Sequence, residues 1–168
     1  MTPEPAEKHF AGCGRAAVQV DLKADLREIG PVVDEVVRAA NTIAGPADAA
    51  VADELRLALT EALNNVVEHA AHPLELPIVV TVGGHSSTAW ICIQDRGVPL
   101  PEWVLTRTET PVVPDVQSTS DLDLLPDGGW GWMLIKASVD RVSHRRVDGC
   151  NLLLLERQLT RNPAKQTA

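Results

Sequence analysis

The chain contains no run of about 18 consecutive apolar residues, so it encodes no transmembrane helix. It has no C-x-x-C pair. Cys13, Cys92 and Cys150 are odd in number and far apart, which argues against a zinc site or a disulfide framework. Cys92 and Cys150 read instead as small apolar residues in strands or at strand edges. No block of Lys and Arg stands out. With 15 basic against 23 acidic residues the formal net charge is −8, which repels a nucleic-acid backbone, so direct nucleic-acid binding is not expected. A small polyphosphate ligand is not excluded, because backbone N–H groups and a metal ion supply positive charge locally. The opening residues, MTPEPAEKHFAGCGR, lack the basic-then-apolar order of a secretory signal. A cytoplasmic location without membrane association is therefore the expectation.

What is present is a globular composition: 45% apolar residues in 168, enough for one domain with its own core. Residues 1–14 read as a disordered lead-in, 15–160 as the domain, and 161–168 as a polar tail. AAVQVDL (Ala16 to Leu22) suits a first strand. Ala24 to Ala44 has helical spacing at Leu26, Ile29, Val33, Val36, Val37 and Ala40, with Pro31 expected to bend the helix or mark a false start. Gly45-Pro46 separates it from a second helix over about Ala47 to Ala71. On that helix Leu55, Leu59, Ala62, Leu63, Val66 and Ala70 share one face, and Glu54, Glu61, Asn65, Glu68 and His72 form a stripe on another. Two strands follow, Pro77 to Gly84 and Thr88 to Asp95, around the turn signal GHSS. A polar, proline-rich stretch from Gly97 to Gly128 shows little periodicity and reads as a lid or binding loop. A helix over GWMLIKASV and a hairpin turning at Asp148-Gly149 complete the order β-α-α-β-β-loop-α-β-β. That order predicts an α+β two-layer sandwich, a mixed β-sheet with helices on one face.

Three segments carry chemistry. In LTEALNNVVEHA, Glu61, Asn65 and His69 fall at i, i+4, i+8 with no Lys or Arg in the stretch, whereas a merely solvated face usually carries charges of opposite sign. At about 100° per residue Glu61 and Asn65 lie within roughly 40° of each other, a carboxylate base beside a neutral oxygen ligand for Mg²⁺. In IQDRGVPLP a strand ends in Asp95, suited to accept hydrogen bonds from an exocyclic amine such as adenine N6. Gly97 two residues on would let the backbone approach the ring. In DGGWGWML, glycines open a helix and offer free N–H groups to a phosphate. It is neither a Walker A loop nor a Rossmann fingerprint, since no Lys-Ser/Thr follows and no strand directly precedes. Each segment alone has a commoner structural explanation: a solvated face, a strand-ending turn, a hinge.

Their order and spacing together resemble the ATP-binding module of the gyrase, MutL and histidine-kinase superfamily, the Bergerat-type fold. LALTEALNNVVEHA, ICIQDRG and GGWGWMLIKASVDRV followed by GCNLLLLER are similar, within it, to the anti-sigma factor serine kinases, over about Ala16 to Gln158. The resemblance implies Glu61 as general base on a serine hydroxyl and Asn65 as Mg²⁺ ligand. It implies Asp95 with Gly97 as adenine site, and Gly129 and Gly131 as phosphate-side glycines, with ATP and Mg²⁺ as cofactors. It further implies two protein partners: a sigma factor, and a STAS-type anti-anti-sigma protein phosphorylated on serine. A homodimer is also expected. Asp140 matches an acidic residue taken as structural. The chain departs from the family at Pro99, where a second glycine is usual, and at Trp130 between the phosphate-side glycines; Arg107 is the candidate lid cation. These departures leave an alternative, a non-catalytic binding module of the same fold with nucleotide as a structural ligand. A histidine-kinase catalytic domain would need a phosphoacceptor helix upstream, and a gyrase- or MutL-type ATPase a transducer domain downstream; length disfavours both.

Overall fold

A computed structural model describes residues 15–70, 73–101, 104 and 130–160. The lead-in, the polar tail, Cys13, His72, Gly129, Arg107 and nearly all of the expected lid lie outside the described residues. Five strands are present: β1 (Arg15–Leu22), β2 (Ile78–His85), β3 (Thr88–Asp95), β4 (Arg141–Val147) and β5 (Cys150–Gln158). The helices are α1 (Leu26–Ala44), α2 (Ala49–His69) and α3 (Trp130–Ser138). The strands form one sheet in the order β1-β2-β3-β5-β4.

Turn chemistry sets much of this order. β2 and β3 are joined through Ser86 and Ser87, both at positive φ, with His85 opposite Thr88. β4 and β5 are joined through Asp148 and Gly149, also both at positive φ, with Val147 opposite Cys150. Two central residues of that hand match the twist of the flanking strands and fix the register of each hairpin.

The α+β two-layer architecture is the expected one, but the sheet is not mixed: β1–β2, β2–β3, β3–β5 and β4–β5 all pair antiparallel. Tight hairpins enforce this for two of the pairs. Between β1 and β2 the chain passes through two helices, whose three connections reverse it an odd number of times and return it antiparallel. β3 and β4 do run parallel, but β5 lies between them, so no parallel ladder forms.

Asp25 opens α1, its carboxylate accepting from the Arg27 backbone N–H at 2.9 Å. The helix continues through Pro31 rather than breaking there. Proline at this position removes the bond that an N–H there would make to the Arg27 carbonyl, and the rest of the helix is kept. Gly45, at φ 100°, closes the helix where glycine was expected to stop it. Of the apolar positions expected on α1, Ile29, Val33, Val36, Val37 and Ala40 are buried and Leu26 is exposed.

The core lies between the helices and one sheet face. From α2 come Leu55, Leu59, Ala62, Leu63 and Val66, and from the sheet Ile78, Val80, Val82, Ile91, Ile93, Leu153 and Leu155. Alternation along the strands sends Trp90, Cys92, Leu152 and Leu154 to the opposite face, in a second cluster to which no described helix contributes. Cys92 and Cys150 are both buried in strands, and neither is in a disulfide among the described residues. No helix among the described residues is long and apolar enough to cross a membrane.

Leu59 is fully buried where α2 crosses the sheet. Leu59→Ala should lower the unfolding free energy by about 2–5 kcal/mol, through lost transfer energy and the cavity left behind. Urea denaturation measures this, and a loss under about 1 kcal/mol would contradict the packing described.

Candidate functional site

The C-terminal half of α2, the chain leaving β3, the first turn of α3, and the ends of β4 and β5 enclose a cavity of about 280 Å³. Its apolar wall includes Val66, Val98, Pro99, Leu100, Trp132 and Leu153, and its polar groups come from Asn65, His69, Asp95, His144 and Asn151. Two of the residues singled out in the sequence, Asn65 and Asp95, thus meet in one cavity from positions thirty residues apart.

Asp95 is the last residue of β3 and only 4% exposed. Its Oδ1 accepts from the Gly97 backbone N–H at 2.7 Å and from Asn151 Nδ2 at 2.9 Å. Both bonds fall on the same oxygen, so Oδ2 has no partner among the described residues and is the acceptor left for a ligand. A carboxylate oxygen accepts only, so this position suits an N–H group.

Gly97 does not line the cavity; it makes the turn that shapes it. A Cβ there would lie 2.0 Å from the Ala70 carbonyl oxygen and 2.7 Å from Ala70 Cβ. Next to it, the Val98 N–H donates to that same Ala70 carbonyl at 2.6 Å. This bond satisfies an otherwise orphaned helix-end acceptor and joins the end of α2 to the end of β3. Pro99, the departure noted in the sequence, lies in the cavity wall as an apolar surface.

Glu61 and Asn65 stand one turn apart on α2, both half-buried. Gly131, in the first turn of α3, rests on them: a Cβ there would lie 2.8 Å from Glu61 Oε2 and 3.6 Å from Asn65 Nδ2. Asn65 Nδ2 is buried without a hydrogen-bond partner. Such an orphan costs roughly 1–3 kcal/mol, which a ligand acceptor would recover. Glu61 has no hydrogen-bond or ion-pair partner among the described residues. Trp130 begins α3 and Trp132 reaches the cavity wall. His69, at the cavity rim, is largely exposed and lies 3.8 Å from Glu68.

The polar stripe read along α2 divides in two. Glu54, at its start, pairs with Arg157 of β5, and Arg157 also reaches Asp140 at 3.3 Å. Asp140 in turn accepts from the Gln158 backbone N–H at 2.6 Å. These groups fasten α2, β5 and the α3–β4 connection together, away from the cavity. Among the described residues no group of three or more His, Cys, Asp or Glu side chains converges, so they build no all-protein metal cage. Mg²⁺ does not need one, since it commonly takes one or two protein oxygens and fills its shell with water and phosphate.

Sequence reasoning did not single out Asn151, Arg146, His144 or Trp132 as site residues. The signal for Asn151 was a lone amide opening the apolar run NLLLL, directly after a hairpin turn. The β3–β5 register sets it opposite Asp95.

Comparison with known proteins identifies the family and the fold. The family model described as histidine kinase-like ATPase domain matches residues 22–157. The chain belongs to that family. Among solved structures, the RsbU and RsbW domains of Rv1364c from Mycobacterium tuberculosis share its fold, with TM-score 0.57 and 18% identity. That match covers 86% of this chain but 33% of the other, so the chain spans about a third of the length of that protein. The catalytic domain of histidine kinase ThkA, in a nucleotide-free form, matches with TM-score 0.48 and 14% identity, over 87% of this chain and 97% of the other. No curated protein sequence gives a significant match.

Gly97→Ala should force the turn away from the Ala70 carbonyl, which is backbone and cannot swing aside. The expected cost is about 1–3 kcal/mol of stability, read from the urea midpoint. A variant as stable as the parent would show that the end of α2 is not fixed against this turn.

Proposed function

We propose that this chain is an anti-sigma factor with serine-kinase activity. In this reading it captures an RNA polymerase sigma factor in the cytoplasm and uses ATP-Mg²⁺ to phosphorylate a serine of a STAS-type anti-anti-sigma protein. Phosphorylation would release that antagonist and leave sigma captured. The observation that carries the reading is the shared cavity, in which an unsatisfied Asn65 amide and an Asp95 carboxylate with one oxygen left over face the same space. Membership of a histidine kinase-like ATPase family supports nucleotide binding. The fold shared with a protein containing an RsbW domain, together with the sequence resemblance to anti-sigma kinases, supports the partners and the serine acceptor.

The roles follow from the chemistry of each group. Asp95 Oδ2 accepts from the exocyclic amine of adenine, and the apolar walls hold the ring. Asn65 would hold Mg²⁺ through its Oδ1, and the bound ion supplies charge neutralisation on the phosphates. Gly131, and Gly129 before it, would let the backbone approach the phosphate groups closely. Glu61 takes the proton of the serine hydroxyl as its oxygen bonds to the γ-phosphorus. The bond from that phosphorus to the bridging oxygen breaks, and ADP leaves with the electron pair. Glu61 has no competing cation among the described residues, so its carboxylate is free to act as a base.

A second reading, a non-catalytic module of the same fold, is favoured by one feature: Gly131 already lies against Glu61 and Asn65, and Trp132 lines the cavity. Incubation with labelled ATP-Mg²⁺ and the antagonist separates the two. The kinase yields phosphoserine; nucleotide binding without phosphoserine would leave the second reading.

Glu61→Gln should lower transfer by about 10²-fold or more while leaving the ATP-Mg²⁺ dissociation constant within about threefold. Transfer at the parent rate would remove Glu61 from the role of base. Asn65→Ala should abolish the Mg²⁺-dependent part of nucleotide binding, measured by calorimetry with and without the metal. An unchanged metal dependence would reassign the ligand.

A further inference from the structure

Resting on the reading that the cavity takes an adenine nucleotide, we propose that Arg146 is a positioning residue for base selectivity, acting on Asp95 through Asn151. Arg146 is not among the residues that line the cavity. Its NH1 donates to Asn151 Oδ1 at 2.7 Å and to the Gly97 carbonyl at 3.0 Å. Asn151 Nδ2 in turn donates to Asp95 Oδ1 at 2.9 Å and to the Val98 carbonyl at 2.8 Å.

The direction of these bonds is forced. Asp95 and the Val98 carbonyl offer acceptors on one side of the amide, and a guanidinium offers only donors on the other. The Asn151 side chain can therefore sit only one way round. His144 Nε2, 3.4 Å from the same Oδ1, imposes no such order, since a neutral imidazole nitrogen can donate or accept. With both amide hydrogens used and its oxygen facing Arg146 and His144, Asn151 has nothing left for a ligand. It acts as a relay.

The outcome falls on Asp95. Both donors that hold it, the Asn151 amide and the Gly97 N–H, use Oδ1, and both belong to groups that Arg146 grips. The carboxylate is thereby kept from rotating, and Oδ2 is the oxygen presented to the base. Oδ2 accepts only, so it favours an exocyclic amine and opposes a carbonyl at the same place. Without Arg146 the Asn151 amide oxygen and the Gly97 carbonyl lose the donor they share, both donors to Asp95 Oδ1 are held less firmly, and the carboxylate loses its fixed orientation.

The experiment is calorimetry on the full chain with ATP-Mg²⁺ and inosine triphosphate-Mg²⁺, which differ in carrying an amine or a carbonyl at that ring position. The parent should prefer ATP. R146M should lower the ATP-to-inosine-triphosphate affinity ratio about tenfold, chiefly by weakening ATP. Loss of the Arg146 charge would act equally on the two triphosphates, so the ratio isolates the effect on Asp95. R146K, which restores a donor, should recover most of the ratio. A folded R146M with the parent ratio overturns the proposal, as does an R146K no better than R146M. Should R146M not fold, N151A removes the relay directly and should lower the ratio equally; an unchanged ratio there overturns it as well. A parent that binds neither nucleotide, or both equally, brings down the adenine reading itself and this proposal with it. A parent that prefers ATP beside an unchanged variant brings down this proposal alone.

Discussion

The end of α2 is held against the end of β3 by a backbone contact, and the site depends on it. The Ala70 carbonyl accepts from the Val98 N–H at 2.6 Å, while Gly97 brings its Cα close enough that no side chain would fit. Helix and sheet are two layers that could slide past one another across an apolar core, since hydrophobic contact is not directional. A hydrogen bond between their ends is directional, and it fixes Asn65 and Asp95 on facing walls of one cavity. A glycine is required because the contact is between backbones, not because of its dihedral freedom.

Around this contact the polar groups divide into those that hold and those that are left over. Arg157, Glu54 and Asp140 tie α2, β5 and the start of β4 together. Arg146, Asn151 and the Gly97 N–H hold Asp95. The groups in those sets partner one another, as burial demands, except that Arg157 Nε is buried without a hydrogen-bond partner. Glu61, Asn65 Nδ2 and Asp95 Oδ2 are without protein partners among the described residues. A chain with net charge −8 that leaves carboxylate and amide groups unsatisfied in one place can bind an anionic ligand there only with help from backbone dipoles and a cation. This is the physical reason that the proposed ligand, a nucleotide, would have to be carried with a cation such as Mg²⁺.

Much of the fold was legible in the residues. The α2 face from Leu55 to Val66 is buried as its spacing required, because a period of 3.6 leaves one solution for an amphipathic helix. The Asp148-Gly149 turn and Gly45 fall where their backbone freedom is used. Pro31 did not mark a false start, since the helix runs through it from Leu26 to Ala44. Parallel pairing was also wrongly expected, because element order does not say which strand inserts between which. In the candidate site, Glu61 and Asn65 stood out as a polar stripe within a helix, and Asp95 and Gly97 as a carboxylate and a glycine at a strand end, whereas Asn151 and Arg146 did not. Their partners lie 56 and 49 residues away, and nothing local marks a side chain whose function is to hold another.

The sequence by itself determined the local terms: which residues form helices and strands, where the hairpins turn, and which helix face is apolar. These depend on neighbours within a few positions along the chain. Only the tertiary structure decided that β5 lies between β3 and β4 and sets Asn151 opposite Asp95. It also decided that α3 brings Gly131 onto Glu61. Those outcomes depend on the register of strands and the seating of helices, which short-range periodicity leaves open and the packing of the whole domain selects.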